Sequence, residues 1–449
     1  MRNMRVWVVG SIWEQPARQR RPDETTLFPG LFAQECFNDS NKFYCQLNTK
    51  TPYRFVANYN DSQLHYPGCT EKKIWMMIRH GTRFPGKKHI KKMKTILSEL
   101  KNKIIENFNK NNSELSVDTV ERLTEWRRSF NKDDDKNLAL EGEHELVDLA
   151  ERMQARFPKL LPEDYSKDVY KFKYTNTQRA EKSAKSFALG LFGQNQSMSI
   201  GFPEAENKDP ILRFYKRCDR WKIEVDENPE TYKEKNSLIQ SQILGKVLDN
   251  VSKRVGFKVN YEEVYYLYMI CAFETAWDAT KNSSWCDLLS LDDVKVLEYV
   301  EDLELYWVDG YGHELTYKQA CPALRDMFTF FDSSEKALAT AYFSHSGTVL
   351  KLLSILGVAK DDKPLTFQSY SSHLNSRKWK SSLIDAFASN IAFVLYDCEK
   401  QGSSILLLHQ EREVQIPGCS SKSLCPVSQM KDIFPDTEQE CRFNALCSV

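Results

Sequence analysis

The sequence predicts an α/β fold: a central mixed, mainly parallel sheet flanked by helices on both faces, with a mostly helical cap subdomain inserted into it. Three observations carry this reading. Short runs such as Ile74-Trp75-Met76-Met77-Ile78 and Ala339-Thr340-Ala341-Tyr342-Phe343 are apolar without alternation, as strands buried on both faces are. Segments of helical period follow them. Residues 209–327 are mostly helical in pattern, aromatic and charged, with few strand-like runs, which is the text of an inserted helical cap.

Taken in order, residues 1–26 are rich in Arg, Gln and Pro and read as a disordered or leader-like start. The first apolar strand ends at Ile78. From Lys87 a long helix is expected, since Ile90, Met93, Ile96, Leu97 and Leu100 recur at intervals of three and four. Asp133-Asp134-Asp135 reads as a solvated turn. A second helix carries Leu146, Leu149, Ala150 and Met153 on one face. Tyr170-Lys171-Phe172-Lys173-Tyr174 reads as a second strand, followed by a helix over residues 183–192. The third strand, 339–343, leads into a helix at 348–356. Residues 391–396 and 404–409 look like a closing hairpin.

The 449 residues exceed the size at which a single core stops growing, so two subdomains are expected. The core takes 27–93, 135–195 and 330–449, and the cap takes 94–134 and 196–329. A mean hydropathy of -0.54 and the lack of any apolar run of membrane-spanning length argue against a transmembrane segment. The 62 basic and 62 acidic residues cancel, so no global field points to nucleic acid and any anion site must be local.

The 12 cysteines and the N-x-S/T sequons at Asn38, Asn60, Asn111, Asn195, Asn250 and Asn282 suit an oxidising, secretory-pathway compartment. Cys419/Cys425, Cys441/Cys447 and Cys271/Cys286 are close enough in sequence to bridge locally. No Cys or His spacing suggests zinc, so no metal or other cofactor is expected. Met1-Arg2-Asn3-Met4-Arg5 before Val6-Trp7-Val8-Val9 has the charge order of a signal peptide, with an apolar stretch at the short limit.

The chemistry concentrates in Arg79-His80-Gly81-Thr82-Arg83-Phe84-Pro85. It stands at the carboxyl end of the first strand, where open α/β sheets bind ligands. Guanidiniums grip phosphate in bidentate fashion, and an imidazole between them can attack phosphorus. Gly81 allows a sharp turn and close approach of the backbone to a ligand. Arg179 and His345 fall after the second and third strands, so the three strand ends together offer three guanidiniums and two imidazoles.

R-H-G-x-R-x-P resembles the signature of the histidine acid phosphatases, a branch of the histidine phosphatase superfamily. The run Cys45-Gln46-Leu47-Asn48-Thr49-Lys50-Thr51-Pro52-Tyr53-Arg54, then Glu301-Asp302-Leu303 through Tyr306-Trp307, Gly310-Tyr311-Gly312-His313 and Ile416-Pro417-Gly418-Cys419 resemble the multiple inositol polyphosphate phosphatases more narrowly. The resemblance covers nearly the whole chain. It implies a metal-free phosphomonoester hydrolase acting on inositol hexakisphosphate and lower inositol polyphosphates, with 2,3-bisphosphoglycerate as a further substrate. His80 would be the nucleophile forming a phosphohistidine. Arg79, Arg83 and Arg179 would bind the phosphate, with His345 donating a hydrogen bond. Lys87, Lys88 and Lys91 would form a cationic rim for a small-molecule polyphosphate.

One position departs from the family. His-Ala-Glu is usual there, its carboxyl protonating the leaving oxygen, whereas this chain has His345-Ser346-Gly347. Neither Ser346 nor Gly347 is a general acid near neutral pH, so the proton donor is unassigned. Glu181, Glu274 and Asp278 are candidates to replace it. Two other readings stay open: a polyphosphate-binding pseudo-phosphatase weakened by that loss, and a broad-specificity acid phosphatase.

Overall fold

The computed structural model describes residues 35–449 except position 436, so the leader-like start at 1–26 lies outside the described residues. Its sheet comprises β1 (Cys69–Arg79), β2 (Tyr170–Tyr174), β3 (Ala339–Ser344), β4 (Asn390–Cys398), β5 (Gly402–His409), β6 (Arg412–Glu413) and β7 (Leu424–Pro426). The strand order is β2-β3-β1-β4-β5-β6, with β7 paired to β5. β2, β3 and β1 run parallel. β4 and every later strand pair antiparallel. The sheet is mixed, as expected, but its parallel part is confined to those three strands. The closing hairpin is the reason: a tight turn between β4 and β5 can only reverse the chain.

β1 is buried on both faces from Lys73 to Arg79. Because side chains alternate along a strand, Ile74, Met76 and Ile78 enter one apolar cluster while Trp75 and Met77 enter another. Each such side chain contributes roughly 1.5–3 kcal/mol by leaving water, which makes this the strand least able to shift register.

The helices that place the site are α1 (Lys87–Asn109), α2 (Leu140–Arg156), α3 (Gln178–Ser197), α4 (Gln242–Val255), α5 (Tyr261–Trp277), α6 (Leu291–Asp309), α7 (Cys321–Asp332) and α8 (Ser346–Ile355). α2 and α3 cover one face of the sheet through Leu146, Leu149, Phe187 and Leu191. α7 and α8 cover the other through Met327, Phe328, Val349 and Leu352. α1, α4 and α5 share a separate core built on Leu97, Val251 and Leu267. α1 buries Ile90, Met93, Leu97 and Leu100 at the spacing read from the sequence.

Disulfides pair all 12 cysteines. Cys271–Cys286 and Cys419–Cys425 are the local bridges expected from spacing. Cys441 and Cys447 do not pair with each other; they bridge Cys321 and Cys218. Short helical turns at Glu438–Cys441 and Phe443–Cys447 carry the two sulfurs to different parts of the molecule, so the tail is stapled at two points. Cys36–Cys45 secures the first described segment, and Cys69–Cys398 joins the start of β1 to the end of β4.

Gly81 and Gly142 set how closely the turn after β1 approaches α2. A Cβ on Gly81 would lie 2.3 Å from the Gly142 carbonyl oxygen, and one on Gly142 would lie 2.2 Å from that of Thr82. The glycine after the histidine thus serves a backbone-to-backbone contact with α2. Gly81→Ala should destabilise the protein by about 1–3 kcal/mol through overpacking against main chain that cannot yield. An unchanged urea midpoint would show that this contact tolerates a methyl group.

Candidate active site

The strand ends converge. Arg79 pairs across the sheet with Ser344, so His80 leaves β1 beside His345, which follows β3. The two imidazole centroids are 5.4 Å apart. Arg179, in the first turn of α3, places Nη2 3.3 Å from His345 Nδ1. The Thr177 side chain caps that helix, which fixes where Arg179 starts. Of the residues expected at the site, His80, His345, Arg79, Arg83 and Arg179 are therefore brought together.

Hydrogen bonding sets the tautomers. His80 Nδ1 lies 2.9 Å from the Gly81 carbonyl oxygen, which only accepts, so Nδ1 carries the proton and Nε2 keeps its lone pair. Arg179 only donates, so His345 Nδ1 accepts and its Nε2 donates to Thr175 Oγ1 at 2.9 Å. For His345 to donate to a phosphate oxygen, as the sequence suggests, one of these partners must be exchanged.

The turn itself is held by Glu145 of α2. Its carboxylate accepts from the backbone N–H of Thr82 at 2.6 Å, from Thr82 Oγ1 at 2.9 Å and from the backbone N–H of Tyr53 at 2.8 Å. Burial pushes this carboxyl up to about 7, against the pull of those donors. The Ser183 hydroxyl accepts from the Gly81 N–H at 3.2 Å, tying the same turn to α3.

Positive charge gathers here with little to offset it. Burial, and then the guanidiniums of Arg179 and Arg79, hold His80 well below the usual imidazole range. His345 is lowered in the same way by burial, Arg179 and Arg213. Arg83 is pushed down to about 9 by burial and by Arg179, and Arg179 to about 10 by burial and by Arg213. Both remain cationic at neutral and acid pH, so the displacement measures mutual repulsion in a desolvated space.

Two members of this cluster escaped the sequence reading. Arg213 faces Arg179 and His345 and hydrogen-bonds Tyr215. Lys136 is depressed by burial and by Arg179 and Arg83. Arg213 had a signal, being a lone cation in Ile211-Leu212-Arg213-Phe214. Lys136 had none, since it ends an acidic run that reads as solvated. Lys87, Lys88 and Lys91 are exposed at the start of α1, directly after the turn. The candidates for a replacement acid are engaged by other partners: Glu181 pairs with Lys185, Glu274 accepts from Trp126 and Ser283, and Asp278 pairs with Lys281 and accepts from Thr280.

Residues 72–410 match the family described as the histidine phosphatase superfamily (branch 2). The chain belongs to that superfamily. Multiple inositol polyphosphate phosphatase 1 of Drosophila melanogaster is 34% identical over 404 residues, covering 87% of this chain and 84% of its own. The Homo sapiens protein of that name is 27% identical over 443 residues, covering 89% and 88%. In fold, the phytase from D. castellii aligns with a TM-score of 0.73 at 15% identity, covering 90% of this chain and 88% of that one. This histidine acid phosphatase thus carries the superfamily's signature at the end of β1, inside the matched region.

Arg179 is the strongest charge acting on the His80 ring. In Arg179→Gln that repulsion is gone, so the His80 pKa should rise toward the ordinary imidazole value. Titration of the His80 ring by NMR checks this, and a midpoint that stays put would mean Arg179 does not face His80.

Proposed function

We propose that this phosphatase removes phosphates from inositol polyphosphates, inositol hexakisphosphate and lower, through a phosphohistidine on His80. The observation that carries the reading is the pairing of a buried, neutral imidazole whose Nε2 lone pair is available with a ring of four guanidiniums, Arg79, Arg83, Arg179 and Arg213. A phosphomonoester dianion offsets two of those four positive charges. Its phosphorus is then attacked in line by Nε2, with charge building on equatorial oxygens that the guanidiniums stabilise. The names of the similar proteins favour an inositol polyphosphate as the substrate. So does the surplus of cations beyond what one phosphate requires: Lys136 beside Arg179 and Arg83, and the exposed Lys87, Lys88 and Lys91 at the start of the helix after the signature turn.

What supports a secretory-pathway location is the pairing of every cysteine and the exposure of Asn38, Asn60, Asn111, Asn195, Asn250 and Asn282, the six sequon asparagines. No helix among the described residues is long and apolar enough to cross a membrane.

His80→Ala should abolish phosphate release from inositol hexakisphosphate while leaving the circular dichroism spectrum unchanged. Wild-type protein quenched in turnover should carry an acid-labile phosphoryl group. Surviving turnover in the variant would remove His80 as nucleophile. Tight binding of the hexakisphosphate by the wild type, with no release at any pH, would favour the pseudo-phosphatase reading instead.

The rim has its own test. Lys92 is already paired with Glu262 at 2.9 Å, so the informative reversal is Lys88→Glu with Lys91→Glu. It should raise KM for inositol hexakisphosphate by roughly tenfold, and that for p-nitrophenyl phosphate by much less. Equal effects on both esters would rule out a rim.

A further inference from the structure

We propose that Asp385 is the general acid of this enzyme, held between Arg79, the residue before His80 at the end of β1, and Ser346, the residue after His345 at the start of α8. The proposal rests on the phosphohistidine reading above and adds to it the proton donor that His345-Ser346-Gly347 does not supply. Asp385 was not a candidate from sequence, although a lone carboxyl in Leu383-Ile384-Asp385-Ala386-Phe387 is itself unusual.

Its contacts separate it from the other acids. The Ser346 hydroxyl donates to Asp385 Oδ2, which brings the carboxyl to the residue after His345. The Arg79 guanidinium donates to the Asp385 backbone carbonyl, and its Nη1 lies 3.6 Å from Oδ2, so the carboxyl neighbours the phosphate clamp without being locked in a two-point ion pair. Oδ1 is buried and has no hydrogen-bond partner among the described residues. A fully buried carboxyl with one oxygen unused is costly unless that oxygen carries a proton or meets a ligand.

Asp309 is the nearest competitor. Its carboxylate stands 3.1 Å from where a Cβ on Gly347 would be, but it is bound to the buried ammonium of Lys351. Glu145 is occupied by Thr82 and Tyr53. The charged groups facing Asp385 are thus Arg79 from β1 and Asp309 from α6, the latter joined to Lys351 of α8. Burial raises the Asp385 pKa to about 6, Arg79 and the Ser346 hydroxyl pull it down, and Asp309 adds to the rise. A carboxyl tuned there is protonated in mild acid and a competent base once it has given up its proton.

In the first step the His80 Nε2–P bond forms and the P–O ester bond breaks, its electron pair going to the ester oxygen, which takes the Asp385 proton and leaves as the alcohol. In the second step water attacks the phosphohistidine phosphorus and gives one proton to the Asp385 carboxylate. The N–P bond breaks, its pair returns to Nε2, and inorganic phosphate departs.

The test is leaving-group dependence. Asp385→Asn should lower kcat/KM, which reports the steps up to alcohol release, by about 10²–10⁴-fold on inositol hexakisphosphate and by less than about tenfold on 2,4-dinitrophenyl phosphate, whose leaving group needs no proton. Equal losses on both esters, or none, would overturn the assignment. If the variant does not fold, Ser346→Ala serves instead. Removing a hydrogen bond that lowers the Asp385 pKa should move the alkaline limb of kcat/KM for the hexakisphosphate to higher pH, with no such shift for the dinitrophenyl ester. A limb that stays in place, or shifts alike for both, would overturn it. His80→Ala separates the two readings, since it should abolish both activities even if Asp385 proves idle. A wild type inert toward both esters would sink the hydrolase reading and the acid with it.

Discussion

Repulsion among cations gathered in one buried space is the constraint on which the rest of the site depends. Arg79, Arg83, Arg179 and Arg213 act on two buried imidazoles, and Lys136 feels Arg179, Arg83 and Arg213. A flexible loop would relieve that repulsion by moving apart. The structure denies it the means: β1 is fixed by β3 on one side and β4 on the other, Gly81 is seated against Gly142, and Glu145 clamps the turn. Donors held in this way meet an incoming anion already in position.

The buried carboxyls show how position divides one functional group among several tasks. Glu145 accepts three hydrogen bonds from the main chain and Thr82, and so fixes geometry. Asp309 balances Lys351, whose ammonium also lies 4.2 Å from the centroid of the Trp221 ring. Asp385 shares its neighbours loosely and keeps one oxygen unpartnered. Their differing environments, rather than residue type, decide which can exchange a proton.

Much of this was legible in the sequence, for reasons that differ from element to element. β1 announced itself because a strand covered on both faces has no polar side to interrupt its apolar run. α1 did so because one buried stripe must recur with the helical period. Arg79, His80, Arg83, Arg179 and His345 stood out because each lies at, or within five residues of, the carboxyl end of a strand. Arg213 and Asp385 lie outside those strand-end blocks, in connecting segments whose approach to the site depends on the whole fold. No local pattern records such a convergence. The disulfides Cys218–Cys447 and Cys321–Cys441 were missed for the same reason, since they join residues 229 and 120 positions apart.

The cap is fastened to the signature turn itself. Trp277, the last residue of α5, donates through Nε1 to the Arg83 carbonyl oxygen at 3.1 Å, and its ring lies 5.0 Å from that of Phe84. Arg54 reaches the carbonyl oxygens of Thr275 and Ala276 while its guanidinium pairs with Glu141 of α2 at 2.9 Å, so one side chain spans cap and core. Arg83 therefore sits at a junction: its side chain belongs to the cation cluster around His80 and His345, while its backbone carbonyl anchors the end of α5. Trp277 Nε1 on the Arg83 carbonyl thus couples the end of α5 to the turn that carries His80, so a displacement of one is felt by the other.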